Sequence, residues 1–226
     1  MPRRRRVATG GYVFHVLNRA TARQQIFETD GDYAAFERVM VETLERVPVR
    51  LLSYCVMPNH WHLVLWPKRG ADNDLSEFMR LLTVTHTQRW HAAHGTAGTG
   101  PLYQGRFKSF PMQGDEHFLT VCRYVERNAL RANIVDSAEL WRWSSLWHRT
   151  KRTTNVPLTD WPVERPRQWK RLVNSAQTDA ELAAIRKAIQ RGRPLGSDDW
   201  VRKTAERLDL ESTLRPRGRP RKKKKV

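Results

Sequence analysis

Apolar and polar positions change period several times along this chain. Residues 12–17 read as a first strand. Across 32–47, Tyr33, Phe36, Met40, Leu44 and Val47 recur at helical spacing. Residues 49–57 and 60–66 are two β-rich runs joined by Pro58-Asn59, which predicts a hairpin. Asp74 with Glu77 three positions later suggests a capping box opening a helix that runs to about His94. Leu75, Phe78, Met79 and Leu82 make its apolar stripe. Residues 102–112 predict a fourth strand, and 115–130 a further helix with Phe118, Val121 and Val125 available for packing. The order is βαββαβ plus a helix. That is an α+β chain with a ferredoxin-like antiparallel sheet and helices on one face.

The remainder is organised differently. Trp141, Trp143 and Trp147 crowd one segment, and prolines recur at Pro157, Pro162 and Pro166. Tryptophans can stack on bases, but packing of a C-terminal segment onto the sheet is the preferred reading. Thr178 with Glu181, and Ser197 with its two following aspartates, predict two small capped helices. The expected division is a basic arm at 1–10, a catalytic domain at 11–150, a helical accessory region at 151–214 and a basic tail at 215–226.

Charge sharpens this picture. The chain has 226 residues and a net charge of +18, and its two ends carry much of the excess. Arg3 to Arg6 lie at one end; Arg215, Arg217, Arg219, Arg221 and Lys222 to Lys225 lie at the other, with no acid in either segment. Such tails favour a polyanion, because each phosphate contact releases counterions. Pro216-Arg217-Gly218-Arg219-Pro220 resembles an AT-hook core, which carries its arginines into a narrow minor groove. The related Arg191-Gly192-Arg193-Pro194 is expected to be an interhelical turn. Cys55 and Cys122 cannot form a disulfide scaffold and read as reduced core residues of a cytoplasmic, nucleoid-associated protein. No apolar run approaches a membrane span.

The candidate chemistry sits in two segments. His60 and His62 flank Trp61 on a predicted strand, so they share one face. Tyr124 and Asn128 are one turn apart on a predicted helix. Two imidazoles, an amide and a phenol could meet around one metal ion, an arrangement suited to a tyrosine that attacks a phosphodiester. Taken alone, the His-x-His triplet reads better as an amphipathic strand with two half-exposed histidines; the combination with the other motifs turns the reading toward a site. His91 and His94, with His86 nearby, are expected on a solvated helix face.

Several separated motifs appear in order: Phe14-His15-Val16-Leu17-Asn18-Arg19, Met57-Pro58-Asn59-His60-Trp61-His62-Leu63, Tyr103-Gln104-Gly105-Arg106-Phe107-Lys108-Ser109, and Arg123-Tyr124-Val125-Glu126-Arg127-Asn128-Ala129-Leu130-Arg131-Ala132. In them the chain resembles the REP-associated tyrosine transposases, a branch of the single-tyrosine HUH transposases. The resemblance spans residues 11–146 and resumes at the extreme C-terminus. Ala129 departs from it, standing where the family usually carries proline. The resemblance implies a nucleophilic Tyr124, a divalent Mg²⁺ or Mn²⁺ at His60, His62 and Asn128, and a single-stranded DNA substrate with a hairpin from palindromic repeats. The ligand set by itself favours Mn²⁺. Arg106, Lys108, Arg123, Arg127 and Arg131 are basic residues near these motifs and candidate phosphate contacts, as are Arg217, Gly218 and Arg219 in the tail. The oligomeric state is expected to be monomer or dimer. The competing readings are a DNA- or RNA-binding regulator that no longer cleaves, and a metal-dependent hydrolase that uses water.

Overall fold

A computed structural model of the chain describes residues 7–215. Four strands, β1 (Val13–Arg19), β2 (Arg50–Met57), β3 (His60–Trp66) and β4 (Lys108–Met112), form one sheet in the order β2-β3-β1-β4. Every neighbouring pair is antiparallel. The helices are α1 (Asp30–Arg46), α2 (Asp74–His94), α3 (Glu116–Glu126), α4 (Asn128–Arg131), α5 (Ser145–Lys151), α6 (Trp169–Asn174), α7 (Asp179–Arg191) and α8 (Asp198–Arg207). The βαββαβ order and the α+β class are those read from the pattern.

Alternation along the strands separates two cores. Phe14 and Val16 of β1, Tyr54 and Val56 of β2, and Trp61, Leu63 and Leu65 of β3 join Phe36 and Met40 of α1 and Phe78 and Leu82 of α2. Full burial of each such side chain is worth about 1.5–3 kcal/mol. Both crossover helices therefore share one face, as expected. The opposite face is also covered. Val13, Cys55, Val64 and Phe110 pack there with Phe118, Val121 and Val125 of α3, and with Trp169, Val173 and Ile185 from the C-terminal helices. The region expected at 151–214 thus contributes to a core of the sheet. Neither cysteine is in a disulfide, and burial pushes the Cys55 thiol up to about 12.

Element ends differ from expectation for local reasons. Helix α1 begins two residues early because Thr29 and Asp32 form a reciprocal capping box. The capping box expected at Asp74 and Glu77 does not form. Asp74 is already helical, and Glu77 pairs with Arg80 at 2.6 Å. Strand β4 is short because the chain before it turns through Gly105, whose φ of +116° few other residues adopt. The helix expected at 115–130 divides at Arg127 (φ −80°, ψ −2°), although the Arg131 and Ala132 amides still bond the carbonyls of Arg127 and Asn128. The capping box at Thr178 and the Ser197 cap form as read.

The aromatic-rich segment packs. Trp143 stacks on Tyr33, Trp141 and Trp161 donate to the Val56 and Leu52 carbonyls, and Trp169 donates to buried Glu126 at 2.6 Å. Extended residues also line both sheet edges: Trp143 and Thr159 bond β2, and Leu195 bonds Pro111 and Gln113 beside β4. Such cover blunts edge-to-edge pairing. Arg191-Gly192-Arg193-Pro194 is the turn after α7, with Gly192 in the left-handed region. No helix among the described residues is long and apolar enough to cross a membrane.

Candidate active site

The pleat of β3 sends Trp61 into the α1–α2 core and leaves His60 and His62 facing the side of the sheet where α3 packs. There His62 meets the helix. Its ring lies 5.8 Å, centroid to centroid, from Tyr124 and nearly perpendicular to it. The His60 ring is 5.1 Å from that of His62. Tyr124, 8% exposed, and Asn128, 4% exposed, border the same cavity as both histidines. That cavity holds about 650 Å³, and Asn18, Arg19, Gln104 and Arg186 complete much of its wall. One chain therefore brings together all four residues expected at the catalytic centre.

Hydrogen bonds orient the imidazoles. His60 Nδ1 is 2.7 Å from Asn59 Oδ1, so it carries the proton and donates to that oxygen. His62 Nδ1 is 2.8 Å from His15 Nε2. In each ring Nε2 remains for another partner. Burial lowers His15 to about 3 and His60 to about 4, with Arg19 and Arg131 adding to the shift at His60. Burial, then the neighbouring His15 and His60, hold His62 well below the usual imidazole range. All three rings are neutral near pH 7, the state in which imidazole binds metal.

Arg131 organises the helical half. Its guanidinium lies 4.0 Å over the Tyr124 ring and donates to Asn128 Oδ1 at 2.7 Å. Asn128 Nδ2 is buried without a partner among the described residues. Its Oδ1 keeps a second lone pair for a cation, and its Nδ2 offers a donor to an anionic oxygen. Two neutral imidazoles and an amide oxygen fit a divalent ion, with the nitrogen donors suiting Mn²⁺ better than Mg²⁺.

The other basic residues fall into three groups. Arg106 and Lys108 are exposed and line the cavity, as does half-buried Arg131. Arg123 and Arg127 turn to the C-terminal region. Arg123 donates to the carbonyls of Ser175 and Ala176, and Arg127 to those of Val173 and Asn174. Both guanidinia hold α6 and its following turn against α3, a structural role that the expectation of phosphate binding did not foresee. Arg217, Gly218 and Arg219 lie outside the described residues.

Two residues acquire roles the sequence reading had not given them. His15 sits in a quoted motif, and the alternation of β1 would have placed it on the site face. Arg186, from α7, carried no signal at all. Two others belong to the core, and one of them, His86, departs from the solvated helix face expected for it. Tyr103, the other tyrosine near these motifs, is buried, accepting from Trp61 Nε1 at 3.0 Å and meeting His86 Nδ1 at 2.7 Å. His86 is therefore a core residue, whereas His94 stacks on Trp90 at the helix end. Asp115, Glu116 and His117 also cluster closely enough to hold a metal. Asp115 Oδ1 is already engaged there, accepting from the His117 backbone amide as the α3 cap.

Comparison with known proteins places the chain in a family. The family model described as "Transposase IS200 like" matches residues 9–128, a stretch from just before β1 to Asn128. The chain belongs to that family and is a DNA transposase. No curated protein sequence matches it. A REP-associated tyrosine transposase solved bound to a REP hairpin shares the fold. Its TM-score is 0.55 at 18% identity, over 79% of this chain and 92% of that one. A candidate transposase from Deinococcus radiodurans R1 aligns with a TM-score of 0.39 at 19% identity, over 56% of this chain and 96% of that one.

Proposed function

We propose that this transposase cuts and rejoins single-stranded DNA beside a hairpin through a 5′-phosphotyrosine on Tyr124. The observation that carries the reading is Tyr124 set edge-on to His62 inside one cavity that also holds His60 and Asn128. Tyr124 Oη attacks the scissile phosphorus in line. A Tyr–O–P bond forms, the bond from phosphorus to the 3′-oxygen breaks, the phenolic proton passes to solvent, and the departing 3′-oxygen takes up a proton. The phosphodiester energy stays in the new bond, so a second 3′-hydroxyl can reverse the step and join strands.

His60, His62 and Asn128 are the residues that would hold Mg²⁺ or Mn²⁺, which supplies Lewis-acid stabilisation of charge on the reacting phosphate. Arg131 holds the Asn128 amide and the Tyr124 ring in place. Arg106 and Lys108 at the cavity wall bind backbone phosphates, and Arg217, Gly218 and Arg219 extend that contact along the DNA. The relative solved with a REP hairpin supports a hairpin from palindromic repeats as the substrate. His60, His62, Tyr124 and Asn128 of one chain line one cavity, which supports a monomer as the cleaving unit. The enzyme would act on cellular DNA in the cytoplasm, at the nucleoid.

The test uses Mn²⁺ and an end-labelled strand carrying a hairpin with single-stranded flanks. A covalent protein–DNA band is the expected result, and Tyr124→Phe should abolish it while leaving strand affinity nearly unchanged. Cleavage without the band would shift the chemistry to water. Binding with neither would leave a non-cleaving regulator.

A further inference from the structure

A second cleft opens beside the catalytic cavity and shares two of its wall residues, Asn18 and Arg106. It holds about 520 Å³ between α2 and the 101–107 loop. Helix α2 contributes Met79, Thr83, Val84, Thr87 and Gln88, positions that recur at helical spacing along one stripe. Leu102 and Phe107 form apolar parts of the facing wall. Val84 is 44% exposed, one of few large apolar side chains left open among the described residues. The side chains of Thr87 and Gln88 make no hydrogen bond with described residues, so polar groups are available beside the apolar surface.

We propose that this cleft receives one unpaired nucleobase of the strand whose phosphate lies at Tyr124, an inference that rests on the function proposed above. A base is a flat apolar ring with donors and acceptors only on its edge. Val84 and Phe107 offer its faces burial, and Thr87 and Gln88 offer its edge hydrogen bonds. The exposed Arg106 lines both cavities, where a backbone phosphate between the cut and the inserted base would need a cation. Gly105 stands in the same wall with nothing within 4 Å of where a Cβ would be, so the loop leaves the passage open. Asn18 Nδ2 donates to the Gly105 carbonyl at 3.3 Å and holds the loop there.

The cleft can be filled from its exposed side by Val84→Trp or, independently, by Thr87→Trp. Each is made in the Tyr124→Phe background, and affinity is read by fluorescence anisotropy on a labelled hairpin with single-stranded flanks. A series of strands replaces each flanking nucleotide in turn by an abasic site. Each filling variant should weaken the intact strand roughly tenfold, the loss expected for one stacked base. One abasic position should cost a similar factor by itself, and filling the cleft should add nothing on that strand. Unchanged affinity in both variants overturns the proposal. So does a loss that persists undiminished on every abasic strand, or an equal loss on duplex DNA, since the cleft would then meet backbone alone. If the wild-type chain forms the covalent adduct while the cleft variants bind normally, only this assignment falls. If it neither binds the strand nor forms the adduct, the proposed function falls with it.

Discussion

His15 is the residue whose role depends most on geometry. It is fully buried, and the one hydrogen bond its ring makes among the described residues joins Nε2 to His62 Nδ1. For His62 to offer Nε2 to a metal, its proton must sit on Nδ1, and His15 must accept it. His15 would thus select the tautomer of the proposed metal ligand. His15→Leu should weaken Mn²⁺ binding roughly 10- to 100-fold, as losses of such outer partners do. His15→Gln, which can still offer a carbonyl oxygen, should recover part of the loss. Titration of Mn²⁺ by electron paramagnetic resonance reads this without any turnover. Equal affinity in the leucine variant would leave His15 a mere packing residue.

At the level of elements, what could be read from the sequence followed periodicity. Strand β3 came out with both bounds correct because alternation and the Pro58-Asn59 turn define it from either side. The His60–His62 pair was legible for the same reason. Boundaries failed where one interaction decided them, as with the Thr29 cap of α1 and the Gly105 turn before β4. The fate of Arg123 and Arg127 was illegible, because their acceptors lie some fifty residues away in sequence. Proximity in sequence to Tyr124 suggested phosphates, but the helix turns these side chains toward α6. Arg123→Ala and Arg127→Ala should therefore each cost stability, by about 1–2 kcal/mol for the missing charge-assisted hydrogen bonds. Urea unfolding measures the cost. The salt dependence of DNA affinity should stay as in the wild type; a shallower slope in either variant would return that arginine to the DNA surface.

For the whole molecule, the same burial that prepares the site makes the fold acid-sensitive. His86 is on the buried side of α2, and burial lowers its pKa to about 3. An unfolded chain binds a proton on this ring below about pH 6.5, whereas the native ring stays neutral. Its contribution is therefore complete above pH 6.5 and is lost as pH falls toward 3, at about 1.4 kcal/mol per pH unit once the unfolded ring is charged. Urea unfolding of metal-free protein at pH 7.5 and 5 should show the decline, and His86→Gln should make it shallower. The tail acts at the same scale through charge alone. Deletion of residues 216–226 removes Arg217, Arg219, Arg221 and Lys222 to Lys225 while leaving every residue of the catalytic cavity. Affinity for the hairpin strand should fall, and the slope of log affinity against log salt should flatten by about 0.7–0.9 for each phosphate that the tail neutralises. Covalent adduct formation on a short strand at low salt should persist, because the proposed chemistry draws on groups that line the cavity around Tyr124. An unchanged slope would mean that the tail does not meet the DNA, and loss of the adduct at saturating strand would mean that the tail completes the site.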